Sequence, residues 1–168
     1  LPGFGAAIEM PAHILDKEGR EFFGEGTIEE PYEIHTAEEL ARLSELVRGE
    51  IGTYYDRHYI LMNDVDLSGY RADGGWRPIS MFRGVFDGNG KTITGLYINR
   101  PVENNQGLFG WVCTDSMAVV KNLNIMNADI TGINYVGGVA GRLDADCIIQ
   151  NCRITGSVRG NDYVGGVA

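Results

Sequence analysis

The 168-residue sequence is poor in positive charge and in proline, and it has no long apolar run. It contains 14 lysine and arginine residues against 23 aspartate and glutamate residues, which gives a formal net charge of −9. Nucleic acids and anionic membranes attract clustered basic side chains, so this balance argues against nucleic acid as a partner. No apolar run approaches the ~18 residues of a membrane-spanning helix, so membrane insertion is not expected.

The sequence also lacks the common catalytic and metal-binding motifs. Its histidines are unclustered, and no H-E-x-x-H, G-x-S-x-G, P-loop or dinucleotide fingerprint occurs. No cysteine belongs to a C-x-x-C pair, which argues against a zinc site or disulfide framework and favours buried apolar thiols. These residues are His13, His35, His58, Cys113, Cys147 and Cys152. We therefore predict no catalytic, cofactor-binding or metal-binding residues, no cofactor and no enzymatic activity.

One segment has the pattern of an amphipathic helix. Thr36 is followed three residues later by Glu39, which is the spacing of a capping box. Apolar residues then recur at helical spacing, and Gly49 provides a stop signal. The apolar residues of this stripe are Leu40, Leu43, Leu46 and Val47. The sequence predicts a helix of about three turns here.

What is abundant is glycine, with 24 residues, and it occurs within a repeat. The phrase NYVGGVAG begins at Asn134, and DYVGGVA begins 28 residues later at Asp162. The related phrases GLFG, GVAG and GVA recur at Gly107–Gly110, Gly138–Gly141 and Gly166–Ala168. A fixed period of about 28 residues that contains several short strands indicates a solenoid of stacked repeats.

A second set of repeated segments aligns in this frame as three apolar triplets. Each places a glycine or asparagine between the first two apolar residues, where a left-handed backbone would form a bend. The triplets are Ile93–Leu96–Ile98, Val120–Leu123–Ile125 and Ile149–Cys152–Ile154. Stacking parallel strands ~4.8 Å apart would place like residues over like. We expect an amide ladder at Asn122 and Asn151 and a ring stack between Tyr135 and Tyr163.

The chain resembles the GLUG-motif repeat proteins of bacterial surfaces. GLFG at Gly107–Gly110 matches the motif, and YILMNDVDLSG, FRGVFDGNGKTITGLYI and YVGGVAG follow the same frame. The resemblance implies an all-β right-handed parallel β-helix, secreted or displayed on the cell surface. Such repeats occur in adhesin-like proteins and beside extracellular peptidases, including relatives of immunoglobulin A proteases. The predicted helix would then cap the N-terminal end of this β-helix.

Two sets of carboxylates are candidates for chemistry within that fold. Asp64 and Asp66 share one face of a strand and could bind calcium, but a solvated or turn-bonding pair is favoured because no EF-hand loop follows. Asp87, near Lys91, resembles the turns of pectin-degrading β-helices. A lyase or glycosidase needs clustered carboxylates, whereas Asp144 and Asp146 lie in a separate turn. We favour an Asx turn at Asp87.

Aromatic side chains are numerous for an acidic surface protein, and rows of them on a flat face can stack on sugar rings. The alternative is that most belong to the core or to internal ladders. The candidates are Tyr54, Tyr55, Tyr59, Tyr70, Trp76, Tyr97, Trp111, Tyr135 and Tyr163.

We therefore predict a non-catalytic extracellular or cell-surface module for adhesion or scaffolding, with a glycan or a host surface protein as partner. The alternatives are a carbohydrate-active β-helix enzyme and a structural accessory domain of an extracellular peptidase. Residues 1–23 are predicted to be a linker or the tail of a preceding module, and residues 24–168 to be the repeat domain. The absence of an initial Met and the final incomplete repeat suggest an excised piece, truncated at its C-terminal end, with further repeats or domains beyond it.

Overall fold

The computed structural model describes residues 19–112 and 117–168, which contain one α-helix and fourteen short strands. The helix, α1, spans Ala37–Arg48, and two 3-10 turns span Tyr54–Asp56 and Ala72–Gly74. The first seven strands are β1 Tyr32–Ile34, β2 His58–Leu61, β3 Val65–Asp66, β4 Val85–Asp87, β5 Thr92–Thr94, β6 Tyr97–Asn99 and β7 Phe109–Val112. The others are β8 Val119–Lys121, β9 Asn124–Thr131, β10 Asn134–Val136, β11 Ala140–Leu143, β12 Ile148–Gln150, β13 Arg153–Arg159 and β14 Asp162–Val164.

All pairings between these strands are parallel. One sheet has the order β1-β2-β4-β8-β12, and a second has the order β13-β9-β5-β3, with β6 also paired to β9. Two smaller sheets pair β7 with β11 and β10 with β14. Sequence neighbours such as β4 and β5 lie in different sheets, so the chain leaves each sheet and returns to it one sequence repeat later.

The core is built from apolar residues that stand above one another across these pairings. In the first sheet, Tyr59 pairs with Phe86 and Phe86 with Val120. In the second, Val65 pairs with Ile93 and Ile93 with Ile125. All these side chains are almost completely buried. Like residues therefore stack on like, as the repeat predicts.

The register of two apolar triplets is confirmed, and that of the first is wrong. Val120 pairs with Ile149 and Ile125 with Ile154, as predicted. Ile93, however, pairs with Ile125 and does not align with Val120. The turn after Asp87 holds extra residues, which moves the true partner of Val120 back to Phe86. An alternating apolar pattern fits more than one register, so the sequence did not exclude the shifted alignment.

The predicted helix is confirmed, with one change in its capping. The Thr36 hydroxyl accepts a hydrogen bond from the Glu39 amide at 3.1 Å, but Glu39 Oε1 accepts from the His35 amide at 3.0 Å, one residue earlier than in a standard capping box. Gly49 follows the last helical residue, whereas the left-handed conformation belongs to Glu50, with φ 51°. The predicted apolar stripe of α1 is buried and joins the same core as Phe22.

The two ends of the first sheet differ in burial. At β1, Phe23 forms an antiparallel bridge with Glu33, and α1 packs its apolar face into the core. At β12, Ile149 is only half-buried, and Ile148 is exposed. Apolar residues on β12 and β14 thus present a free parallel edge, while their equivalents one repeat earlier are covered.

Candidate functional site

Aromatic and arginine side chains come together on one face of the later repeats. The pairing of β7 with β11 sets Trp111 beside Arg142, and the pairing of β10 with β14 sets Tyr135 beside Tyr163. The Tyr135 and Tyr163 rings are stacked, with centroids 4.7 Å apart and an angle of 2° between their planes. This confirms the predicted ring stack. We call Trp111, Tyr135, Arg142 and Tyr163 the aromatic surface.

Arg142 links the two parts of the aromatic surface. Its guanidinium carbon lies 4.3 Å from the centre of the Trp111 ring and 5.8 Å from that of Tyr135, which are cation–π distances. Its Nε donates to Asp144 Oδ1 at 3.1 Å. This ion pair fixes the guanidinium between the rings. Tyr135, Arg142, Asp144 and Tyr163 line an open groove of about 640 Å³, and Tyr163 is 71% exposed.

The backbone holds the two tyrosines in an uncommon conformation. Tyr135 and Tyr163 have φ values of 58° and 55°, in the left-handed region that bulky side chains rarely adopt. Asn105 has φ 58°, and it precedes Gln106, which forms an isolated parallel bridge with Val136. Three successive repeats therefore adopt the same bend. Such a bend costs of order 1–3 kcal/mol for a non-glycine residue, and the surrounding sheet must maintain it.

The glycine phrase that follows Tyr135 is required by close packing. A Cβ atom on Gly137 would lie 2.0 Å from the Ala140 carbonyl oxygen, and one on Gly138 would lie 2.5 Å from the Gly166 carbonyl oxygen of the next repeat. Both contacts involve backbone atoms that cannot move without disturbing the sheet. The repeated GG pair therefore allows neighbouring strands to approach, which positions the tyrosines.

The other aromatic candidates are divided between core and surface. Tyr59 and Trp76 are buried, and the Tyr59 hydroxyl donates to the Tyr54 carbonyl at 2.6 Å, while burial raises the pKa of Tyr59 well above its usual value. Tyr97 is half-buried beneath Arg71, whose guanidinium carbon lies 4.0 Å from the ring centre. These residues stabilise the frame and are separate from the aromatic surface. Tyr55 contacts Arg83, and Tyr70 packs on Trp76.

The calcium candidates Asp64 and Asp66 each bind a backbone amide. Asp64 Oδ1 accepts from the Thr92 amide at 2.8 Å, and Asp66 Oδ1 accepts from the Ser68 amide at 2.9 Å, which lowers the pKa of Asp66. Asp66 thus serves a local turn, as the favoured interpretation predicts, whereas Asp64 links its segment to β5, one repeat later. In residues 19–112 and 117–168, no group of three or more His, Cys, Asp or Glu side chains is arranged to hold a metal ion.

Asp87 forms the predicted Asx turn and also begins an amide ladder. Its Oδ1 accepts from the Asn89 amide at 2.8 Å and from Asn122 Nδ2 at 3.1 Å. Asn151 Nδ2 then donates to Asn122 Oδ1 at 3.3 Å, which confirms the predicted ladder. Asp87 and Asp144 line different clefts, so the structure does not bring these two lyase candidates together.

Within the described ranges, the remaining sequence candidates form no group that could hold a metal ion. His35 Nε2 lies 3.0 Å from Glu33 Oε2, and His58 is in β2. Cys147 and Cys152 are half-buried, and burial raises the pKa of the Cys152 thiol. His13 and Cys113 lie outside the described residues.

Residues 132–159 match the family model for the GLUG motif. The chain contains a GLUG repeat. The match covers β10, with Tyr135, and the phrase GVAG at Gly138–Gly141. The literal motif at Gly107–Gly110 lies one repeat before the matched residues, and GVAG is its later copy.

Two curated relatives of this GLUG-repeat chain are much longer proteins. Halomucin of Haloquadratum walsbyi is 34% identical over 153 residues, which are 86% of this chain and 2% of halomucin. A provisionally named Gly-rich membrane protein of Evansella cellulosilytica is 41% identical over 114 residues, which are 64% of this chain and 12% of that protein. The chain therefore spans a small part of each relative.

A solved structure shares the fold of the GLUG-repeat chain. It is a crystal structure from Bacteroides ovatus, provisionally titled as an immunoglobulin A1 protease, with a TM-score of 0.57 and 20% sequence identity. The likeness covers 79% of this chain and 40% of the other. At this identity the likeness concerns the fold. No helix among the described residues is long and apolar enough to cross a membrane.

Proposed function

We propose that residues 24–168 form a right-handed parallel β-helix that serves as a non-catalytic module of an extracellular or cell-surface protein. The fold proposal is supported by strand pairs that are all parallel and by hydrogen bonds that join residues 28, 29 and 30 positions apart. Each turn of such a helix returns to the same place one repeat later, and separations of this size support that arrangement.

The surface location is supported by the relatives and by the charge. Halomucin and the Gly-rich membrane protein carry names that point to the cell exterior, and an acidic chain suits a solvated surface module. The non-catalytic role is supported by the candidate carboxylates, because Asp64, Asp66 and Asp87 each accept a backbone amide hydrogen bond.

The aromatic surface is the part of this module that we propose binds a glycan. The observation that carries this proposal is the stack of Tyr135 on Tyr163 beside Arg142 in an open groove. Sugar rings pack their C–H faces against aromatic rings, and Tyr163 has an exposed ring on the outer side of the stack. Arg142 and Asp144 provide polar groups at the rim for hydroxyl groups.

The half-exposed edge at β12 and β13 is the part of this module that we propose acts as a scaffold. We propose that this edge pairs with a further GLUG repeat in the same parallel register. Ile149 and Ile154 continue the ladders of Val120 and Ile125, so one more repeat would bury them. The free backbone groups of β12 would gain hydrogen bonds in the same step.

A glycan array tests the adhesion proposal, together with a screen for polysaccharide cleavage. The wild-type chain, Tyr163→Ala and Tyr97→Ala are compared. Tyr97→Ala is the control because it removes a half-buried tyrosine that also contacts an arginine, outside the aromatic surface. We expect selective binding that Tyr163→Ala weakens and Tyr97→Ala preserves. Cleavage without selective binding would contradict the proposal and favour the carbohydrate-active enzyme.

A role as an accessory domain of a peptidase has one supporting observation, the likeness to the Bacteroides ovatus structure. This role and the glycan proposal make different predictions. An accessory domain would show no glycan selectivity on the array, and Tyr163→Ala would leave its properties unchanged.

A further inference from the structure

Three arginines line one cleft at the C-terminal end of α1. Arg48 is the last residue of α1, Arg77 lies three residues after the 3-10 turn Ala72–Gly74, and Arg100 comes directly after β6. All three line a cleft of about 190 Å³. We call these residues the arginine cleft. They are widely separated in the sequence, and the fold brings them to one place in a chain whose net charge is −9.

Two of these arginines have no carboxylate partner. Other arginines of the chain are held in close ion pairs, such as Arg42 with Glu21 at 2.6 Å and Arg159 with Asp129 at 2.6 Å. In the part of the chain that the structure describes, no carboxylate oxygen lies within 4.0 Å of Arg48 or Arg77. The polar contact of Arg48 is a 3.4 Å hydrogen bond to the Ser44 hydroxyl. Both charges face the cleft, and the carboxylate among the lining residues, Glu103, contacts Arg100 rather than either of them.

Arg100 supplies a fixed positive charge to the same cleft. Its side chain is only 6% exposed, and its Nη2 donates to the carbonyl oxygens of Asp73 and Gly75 at 3.1 and 3.3 Å. Its Nη1 lies 3.5 Å from Glu103, a long contact that neutralises the charge weakly. Its Nε is buried and has no hydrogen-bond partner in the described residues. A buried guanidinium with an unpaired donor has capacity for a further acceptor.

The lowered pKa of Arg48 also indicates that positive charges lie close together in the cleft. Partial burial lowers the pKa of Arg48, and the positive charges of Arg77 and Arg100 lower it further, while Glu45 opposes them. The cleft therefore places like charges close enough to repel one another. An anion between them would relieve this repulsion, because guanidinium groups form strong paired hydrogen bonds with oxyanions.

The wall of the cleft is also polar. Asn105 and Gln106 line it, and each has a buried side-chain oxygen without a hydrogen-bond donor in the described residues. Buried polar atoms are usually paired, so these acceptors favour a ligand or water molecule with hydroxyl groups over an apolar ligand.

We propose that the arginine cleft binds an oxyanion group, a carboxylate or sulfate, carried either by a small free anion or by an acidic sugar. Arg48 and Arg77 provide exposed donors at the mouth of the cleft, and Arg100 provides a buried positive charge. This site lies apart from the aromatic surface and does not depend on the glycan proposal.

Isothermal titration calorimetry with the wild-type chain and the variants below tests this proposal. The titrants are inorganic sulfate, glucuronate, a sulfated oligosaccharide and the same oligosaccharide after desulfation. The variant is Arg77→Gln, which removes an exposed charge from the cleft. The control is Arg153→Gln, which removes an exposed charge from β13, outside the cleft. Arg48→Gln provides a second variant at the cleft mouth.

We expect the wild type to bind the oxyanions, and Arg77→Gln and Arg48→Gln each to weaken binding by about tenfold, the size of one charge-assisted hydrogen bond. Arg153→Gln should leave the affinity unchanged. Tighter binding of the sulfated oligosaccharide than of inorganic sulfate would identify the sugar as the carrier, and similar affinities would identify a free anion.

Two outcomes would overturn the proposal. One is an equal affinity for the sulfated and desulfated oligosaccharides together with no binding of sulfate or glucuronate. The other is an equal loss of affinity in Arg77→Gln and Arg153→Gln, which would show a general effect of net charge. Loss of array binding in Tyr163→Ala with intact oxyanion binding would separate this site from the aromatic surface.

Discussion

Asn151 donates a hydrogen bond from its side-chain amide to the side-chain oxygen of Asn122, across 29 positions of sequence. Both residues have left-handed backbones, with φ 51° and 55°. Asparagine therefore does two things at this bend: it tolerates the conformation and it links one repeat to the next. Asp87 completes the ladder by accepting from Asn122 at 3.1 Å.

Replacing Asn122 by Ala should destabilise the chain by about 1–3 kcal/mol, because the variant loses both ladder bonds and places alanine in a left-handed backbone. Urea unfolding followed by circular dichroism measures the change. Asn122→Gly is the matched variant, since glycine keeps the backbone conformation and loses only the amide. The glycine variant should be the more stable of the two, and the reverse order would argue against a strained bend.

Replacing Leu123 by Ala should destabilise the chain by ~2–5 kcal/mol, because Leu123 is fully buried and the variant opens a cavity between neighbouring repeats. Chemical denaturation measures the free energy of unfolding. Leu143→Ala is a matched control, since Leu143 is 37% exposed and should lose much less. A change below about half a kcal/mol at Leu123 would be incompatible with a packed ladder there.

Replacing Gly84 by Ala should destabilise the chain by about 1–3 kcal/mol or more, because the new Cβ would lie 2.1 Å from the Arg57 carbonyl oxygen in the adjacent strand segment. Gly69→Ala is the control, since among the described residues no heavy atom beyond its two chain neighbours lies within 4 Å of its new Cβ. Neither glycine has a left-handed backbone, so the pair isolates the packing effect. Thermal unfolding of the two variants should separate them clearly. Equal melting temperatures would contradict the close strand approach.

The pKa of Asp66 predicts an acid-dependent loss of stability. The Ser68 amide hydrogen bond lowers the folded pKa of Asp66 below its ordinary value of 3.8. The unfolded chain therefore takes up this proton first as the pH falls. Its contribution is fully present above the ordinary value and is lost as the pH drops through the folded pKa. Asp66→Asn should flatten this part of the curve of unfolding free energy against pH, and an unchanged slope would show that the carboxylate is not engaged.

Local sequence signals predicted those parts of the fold in which a residue type is explained by a single structural role. Thr36 and Glu39 marked the start of α1, and Asn122 and Asn151 marked a bend and a ladder. Register was harder, because Ile93 satisfies the alternating pattern in two alignments. Only the pairing with Ile125, fixed in three dimensions, distinguishes them.

The sequence predicted part of the aromatic surface and none of the arginine cleft. Tyr135 and Tyr163 occupy the same place in a visible repeat, so their stacking followed from the period. The contact of Arg142 with Trp111 depends on the pairing of β7 with β11, which the repeat period alone does not predict. The arginine cleft had no sequence signal, because Arg48, Arg77 and Arg100 lie in unrelated segments and meet only through the packing of α1.

Asn105, Tyr135 and Tyr163 share a left-handed bend, so the backbone conformation on this face does not depend on which side chain is present. The ring spacing of 4.7 Å matches the spacing of hydrogen-bonded strands, so the main chain sets the position of whatever side chain occupies that place. One repeat places an amide there and the next two place phenol rings, with no change in backbone direction. Substitutions at these positions can therefore alter what the face binds while the distance between successive side chains stays constant.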